Sequence, residues 1–242
     1  MTGGASPRVV SLVPSATETL IALGVVPIAC TRFCEQPGIP TVGGTKDPHV
    51  DEIVALAPDL VVMNNEENRI EDFNALRDAG LALHSMSPRT VSDVGKVVST
   101  LADRVGVPAP HPFVAPDWHA FVQAKQQGFR GRAAVMIWRR PWMTMRADAY
   151  GASVLQVLGW RNVVSLSDVG DRYPQVTLEQ MAGSAPELVV LPSEPYPFAA
   201  RHVAEVEAGM PTARVVLVDG QDLFWWGIRT PDALDRLSRT DW

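Results

Sequence analysis

Ala57-Pro58-Asp59-Leu60-Val61-Val62-Met63 and Ala185-Pro186-Glu187-Leu188-Val189-Val190-Leu191 match position by position, identical or close in kind. Each is a short apolar run rich in Val, entered through Ala-Pro, and reads as a buried strand of an α/β sheet. Each then runs into a polar, acidic segment, Asn64-Asn65-Glu66-Glu67 after the first and Pro192-Ser193-Glu194 after the second. A second pair, Leu23-Gly24 and Leu158-Gly159, echoes in the same order, at an offset of 135 residues against 128. One such match lies within the reach of chance, because α/β strands draw on few residue types. Two in the same order point to paired lobes.

The surroundings of each motif alternate short β-branched runs with helical periods, the pattern of an α/β fold. Arg8–Val13 reads as a buried strand. Ser15 is placed to cap the next helix, with Glu18 at the capping-box position and Gly24 as the stop. Helices over about Val50–Leu56, Arg69–Ala79 and Val91–Val105 alternate with strands Asp59–Met63 and Leu81–Met86. The pattern restarts with strand Ala133–Trp138, a helix over Ala152–Leu158 stopped by Gly159, and a helical stretch around Leu178–Met181. Between the halves, four prolines (Pro108, Pro110, Pro112, Pro116) precede Asp117, and Trp118, Phe121, Val122 and Lys125 follow at helical spacing. A flexible linker is Gly/Ser-rich and lacks such aromatics. The expected architecture is therefore an N-terminal α/β lobe over 1–107, a connecting backbone helix within 108–130, and a C-terminal α/β lobe over 131–242. Ligands of open α/β sheets lie beyond the carboxyl ends of the strands, so a cleft between the lobes is expected, lined by the loops after Val13, Met63, Trp138 and Leu191.

Composition narrows the classes. With 242 residues, 46% hydrophobic and 20% charged, the chain builds a packed core rather than a disordered coil. A net charge of −6 argues against a nucleic-acid partner. No run approaches the roughly 20 apolar residues of a membrane helix. The start, MTGGASPRVVSLV, lacks the basic and apolar regions of a secretory leader, which leaves two expectations: a cytoplasmic protein, or a periplasmic or surface protein whose leader has been removed. Cys30 and Cys34 are the two cysteines. Free thiols are the expected state, and zinc held by both with a distant histidine is the alternative.

Two clusters stand out at strand ends: Trp138-Arg139-Arg140-Pro141-Trp142 and Phe224-Trp225-Trp226-Gly227-Ile228-Arg229. Strand-end loops are ordinarily solvated, so indoles there suggest a pocket lining suited to a large flat or macrocyclic ligand. Packing of the core or the lobe interface is the competing reading. On the pocket reading, Trp226→Ala weakens binding without lowering the melting temperature, whereas Trp160, just after the Gly159 stop, belongs to the core. The carboxylates Glu66, Glu67, Glu71, Glu194, Glu205 and Glu207 admit three readings: acid/base catalysis, solvated helix faces, or docking onto arginines of a partner. The first lacks support, since no G-x-S-x-G, H-E-x-x-H, P-loop or G-x-G-x-x-G is present. The histidines His49, His84, His111, His119 and His202 are scattered, and His111 and His119 alone do not make a metal site.

Val10-Ser11-Leu12-Val13-Pro14-Ser15-Ala16-Thr17-Glu18, Val42-Gly43-Gly44-Thr45-Lys46-Asp47-Pro48 and Leu56-Ala57-Pro58-Asp59-Leu60-Val61-Val62 together resemble the class III periplasmic substrate-binding proteins. The closest likeness is to the cobalamin-binding branch and its helical-backbone metal receptors, whose Ile-Trp-Arg-x-Pro-Trp and Ser-Glu-Pro-Tyr-Pro-Phe patterns stand here as Ile137–Trp142 and Ser193–Phe198. The resemblance implies a monomeric, non-enzymatic receptor with no covalently bound cofactor. Such a receptor delivers cobalamin, a ferric siderophore or haem to an ABC importer. It implies ligand contacts from Phe33, Tyr173, Asp222 and Arg229 beside Trp225 and Trp226, with Trp138, Trp142, Glu194 and Tyr196 in the matching loops. It also implies docking carboxylates near Glu71 and Glu205. Lys46 and Asn64, with Asn65, stand where the cobalamin receptors have aromatic surroundings, so the ligand contact there is polar. The rival expectations are a cytosolic carrier of the same fold and a hydrolase using cleft carboxylates.

Overall fold

The computed structural model describes residues 6–109, 117–165 and 170–242. They form two compact units. The first takes the chain through Pro88, Asp93–Trp118 and Trp226–Arg229; the second takes Arg89–Ser92, His119–Trp225 and Thr230–Trp242.

The first unit opens with strand β1 (Val9–Ser11), helix α1 (Pro14–Ala22) and strand β2 (Ala29–Cys30). A short 3-10 turn, Arg32–Cys34, leads on to α2 (Val50–Ala55), β3 (Leu60–Met63), α3 (Ile70–Asp78), β4 (Leu83–Ser85) and α4 (Val94–Arg104). The strands lie in the order β2-β1-β3-β4, all parallel, with Val10 opposite both Ala29 and Val61. Val9, Val10, Val61 and Val62 are buried completely, as expected of parallel strands covered on both faces.

Helix α5 (Trp118–Lys125) lies within the expected connector, whose residues 110–116, His111 included, fall outside the described residues. The second unit continues with β5 (Gly131–Trp138), β6 (Met143–Thr144), α6 (Tyr150–Val157), β7 (Trp160–Asn162), α7 (Leu178–Gly183) and β8 (Leu188–Pro192). It ends with α8 (Ala200–Gly209), β9 (Arg214–Val218), α9 (Gly220–Phe224) and α10 (Thr230–Ser238). Here β7, β5, β8 and β9 are neighbours in that order, all parallel. This repeats the order β2-β1-β3-β4 of the first unit. The short β6 adds an antiparallel pairing to the far half of β5.

The echoed motif is an echo in three dimensions. Ala57 and Ala185 both hold a left-handed backbone, φ 44° and 48°, which is uncommon for a residue with a Cβ. In each unit the acidic residue after the proline then accepts from the amide of an arginine at the start of the unit's first strand. The Arg8 amide donates to Asp59 Oδ2 at 2.8 Å, and the Arg132 amide to Glu187 Oε1 at 3.2 Å. The same arginines close the helix before each motif: Arg8 Nη2 reaches Leu56 O at 2.8 Å and Arg132 Nη2 reaches Ser184 O at 2.5 Å. Leu56 and Ser184 are the C-caps of α2 and α7, where cationic side chains satisfy the last carbonyls. Gly24 and Gly159 also share a left-handed φ, 82° and 88°, ending α1 and the turn after α6.

One local expectation is corrected. Ser15 does not cap α1. Pro14 occupies the first helical position, Val13 is the N-cap, and no side chain accepts from the first turn. Proline is pre-shaped for that position and holds the residue before it extended, so the helix starts two residues early and Ser15 lies inside it. Glu18 pairs with Arg229 instead. A true capping box forms at α7, where Gln180 N donates to Thr177 Oγ1 at 3.0 Å and Thr177 N to Gln180 Oε1 at 2.8 Å.

Candidate functional site

In the first unit the carboxyl ends of β1, β2 and β3 carry a polar face. The turn after β3 is held by asparagines. Asn64, itself buried, accepts at Oδ1 from Glu66 N at 2.7 Å and from Ser87 Oγ at 3.2 Å. Asn68 donates from Nδ2 to Leu12 O at 3.2 Å and Thr45 O at 2.9 Å, tying together three strand-end loops. Lys46 donates from Nζ to Glu66 O at 2.7 Å. Burial lowers its pKa below the ordinary lysine value, with the Arg69 charge acting in the same direction against nearby carboxylates. A pocket of about 200 Å³ opens here, lined by Met63, Asn64, Asn65, Asn68, Arg69 and Phe73. Phe33 projects from the 3-10 turn, 49% exposed, beneath the Arg32 guanidinium at 4.8 Å, and Arg32 is held by Asp47 at 3.0 Å.

In the second unit the corresponding face is made of rings. Trp138, at the end of β5, is 41% exposed and meets Tyr196 edge-on with ring centres 5.6 Å apart. Trp142 lies parallel to Phe198 at 6.0 Å, and Tyr196 meets Phe198 at 4.7 Å. Arg139 sits over Trp142 at 5.9 Å and is fixed by Glu205 at 2.8 Å. His202 is buried among Tyr196 and Phe198 and accepts at Nδ1 from Ala199 N. Burial and the charges of Arg201 and Arg139 push its pKa down. Tyr173 is half-buried in a segment stitched to this cluster, since Val176 N donates to Trp142 O at 2.9 Å. Glu194 Oε1 accepts from Trp225 Nε1 at 2.6 Å.

The expected site residues thus divide between two faces. Phe33, Lys46 and Asn64 belong to the polar one; Trp138, Trp142, Tyr173, Glu194 and Tyr196 belong to the aromatic one. Trp225 and Trp226 are buried, 8% and 3% exposed, and Arg229 is engaged by Glu18 through Nε at 2.9 Å. The expectation that Trp226→Ala spares the melting temperature is therefore revised, because truncating so buried an indole leaves a cavity. Trp160 is 9% exposed and packs near Trp242, as a core residue does. Asp222 is buried and taken up by Arg236 at 2.6 Å rather than presented to solvent. Glu71 is exposed in the first turn of α3, while Glu205 is partly neutralised by Arg139. Sequence reasoning missed Asn68 and His202 as organisers of these faces, since each works through bonds to distant segments.

Among the described residues no three or more His, Cys, Asp and Glu gather to hold a metal. Cys30 and Cys34 are buried free thiols. Cys34 Sγ lies 3.2 Å from both Thr17 Oγ1 and Thr31 Oγ1. Hydrogen bonds from Cys30, Thr17 and Thr31 pull its thiol down to about 6, against burial, while Cys30 is pushed up. No helix of the described residues is long and apolar enough to cross a membrane.

Several known proteins are similar to this chain. The vitamin B12-binding protein of Salmonella typhimurium is 26% identical over 195 residues, covering 77% of this chain and 73% of the relative. That of Vibrio parahaemolyticus is 24% identical over 192 residues, covering 75% and 69%. Among solved structures, the periplasmic vitamin B12 binding protein BtuF of Vibrio cholerae superimposes with a TM-score of 0.80 at 20% identity, covering 96% of this chain and 95% of that one. The periplasmic heme binding protein HutB of Vibrio cholerae gives 0.77 at 18%, covering 96% and 97%. At these identities the structures establish the shared fold. Residues 9–203 match the family model described as periplasmic binding protein, and the chain belongs to that family.

Proposed function

We propose that this protein is a substrate-binding component that holds a cobalamin-like corrinoid, or a related metal chelate such as haem or a ferric siderophore, and passes it to an ABC importer. The observation that carries the proposal is the aromatic face of the second unit. Trp138 stands 41% exposed on a base of Tyr196, Phe198 and Trp142. A large indole held open to solvent on a rigid ring cluster has no packing role that requires its exposure, and it matches the flat, apolar periphery of a macrocycle. The polar face of the first unit supplies hydrogen-bonding partners suited to the ligand's rim. The curated relatives bearing the name vitamin B12-binding protein favour the corrinoid among these ligands. The α5 segment serves in this reading as the backbone helix, and Glu71 as a docking carboxylate for the importer. Glu205 is the second docking candidate, and engaging the importer exchanges its Arg139 for a partner arginine.

The test is a titration of aquocobalamin, haemin and several ferric siderophores, following tryptophan fluorescence. Saturable quenching by aquocobalamin at one equivalent, with ligand recovered chemically unchanged, is the expected result. Quenching by none of the three classes overturns the reading.

A further inference from the structure

Two of the polar residues lining the pocket of the first unit, Asn65 and Arg69, keep donors that its other asparagines have spent. Asn68 gives its Nδ2 protons to Leu12 O and Thr45 O, and Asn64 accepts twice at Oδ1 and donates from Nδ2 to Glu67 Oε1 at 3.3 Å. Asn65 is pinned differently. Its backbone N donates to Ser87 Oγ at 3.1 Å and its Oδ1 accepts from Ser85 Oγ at 2.5 Å. Its Nδ2 protons have no acceptor among the described residues. Arg69 is clamped on one edge by Asp72, itself 5% exposed, which takes Nε at 2.9 Å and Nη2 at 3.0 Å. Its Nη1 has no acceptor among the described residues. Both side chains are exposed and already held, so binding at their free N–H groups orders little more.

Spare N–H donors call for an acceptor oxygen, and the surrounding charge decides which kind. The carboxylates of Asp72, Glu71 and Asp47 act on Arg69, and those of Glu66 and Glu67 act on Lys46 beside it. Together they outnumber Arg69, Lys46 and the Arg32 that holds Asp47. A carboxylate brought here is repelled by that excess. An uncharged carbonyl oxygen meets the same donors without the repulsion. The apolar walls, Met63, Ile70 and Phe73, suit the methylenes of a short arm, and about 200 Å³ is room for one.

We infer that this pocket is a carboxamide subsite, in which Asn65 Nδ2 and Arg69 Nη1 donate to the carbonyl oxygen of an amide arm on the ligand. The inference rests on the proposed function for the molecule that carries the arm, and it narrows that molecule. The corrin ring of cobalamin bears carboxamide arms, whereas haem bears carboxylates.

Dissociation constants are measured for cyanocobalamin and for its separate monocarboxylic acids, each with one arm hydrolysed, on the wild type, Asn65→Ala and Glu71→Gln. Asn65 and Glu71 are exposed, so both variants keep the fold. One acid isomer should bind the wild type about 5-fold more weakly than the parent. Asn65→Ala should weaken the parent about 5-fold, and Glu71→Gln should narrow the gap between that isomer and the parent about 2-fold. Equal binding of the parent and every isomer, or a parent unaffected by Asn65→Ala, overturns the inference. In a second experiment propionamide and propionate are titrated into the wild type at millimolar concentration, following the side-chain amide resonances of Asn64 and Asn65. Saturable shifts are expected, with propionate about 5-fold weaker. If no corrinoid binds at all, the proposed function falls, and the propionamide titration alone decides this inference. No saturable shift, or one reached equally by propionate, then overturns it.

Discussion

The two units place the same backbone under different loops. Both pass through a left-handed alanine, a proline and an acid that grips an arginine, and both then run a buried strand to its carboxyl end. Beyond that point they part. The first unit turns on asparagines and a lysine, with Lys46 and Asn68 bonded to backbone of neighbouring loops. The second turns on tryptophan, tyrosine and phenylalanine packed against one another. The shared frame serves stability, and the loops are where the units differ in what they offer a ligand. Substitutions in the frame should therefore act alike in both units, and substitutions in the loops should not.

The largest expected effect separates buried indoles from exposed ones. Trp226→Ala, at 3% exposure, should cost about 3–5 kcal/mol of folding stability, read by denaturant melts. Trp138→Ala, at 41%, should cost less than about 1 kcal/mol. Equal costs would erase the distinction between core and platform on which the aromatic face depends.

A smaller effect concerns the buried thiols of the first unit. Cys34 is drawn down to about 6, below the ordinary range of a thiol, because hydrogen bonds from Cys30, Thr17 and Thr31 favour the thiolate. A folded-state pKa below the unfolded one contributes stability that is fully present above the unfolded value and is lost as pH falls through the folded value. Wild-type stability relative to Cys34→Ser should therefore grow from pH 6 to pH 9, and urea melts across that range measure it. A flat difference would mean that the thiol stays protonated.

The smallest effect sharpens the comparison most. Glycine relieves the left-handed strain at Ala57 or Ala185, worth about 1–2 kcal/mol, and returns about 0.4–1 kcal/mol as unfolded-chain entropy. Ala57→Gly and Ala185→Gly should each stabilise by up to about 1 kcal/mol, in the same direction. Opposite signs would mean that the two motifs share sequence without sharing energetics.

The frame was legible in the sequence because it depends on local chemistry. Continuous apolar strands, Ala-Pro entries and Gly stops carry their geometry in a few adjacent residues. The start of α1 was misread by two positions because two local rules competed there, and proline's fixed φ prevailed over serine's capping oxygen. Partners far apart in sequence were not legible. The Glu18–Arg229 and Arg139–Glu205 pairs close only after the chain has folded. Burial of Trp225 and Trp226 was hidden for the same reason: an indole in a strand-end loop reads as a pocket wall until the tertiary packing around it is known.

The central claim is that the exposed ring platform of the second unit binds a corrinoid, and calorimetric titration of aquocobalamin into wild type and Trp138→Ala tests it most directly. The account predicts one-to-one binding by the wild type. It also predicts a dissociation constant raised about 5–150-fold in Trp138→Ala, the loss of one stacking contact of about 1–3 kcal/mol, with the melting temperature of the free protein lowered by less than about 4 °C. Wild-type binding that persists undiminished in Trp138→Ala would contradict it.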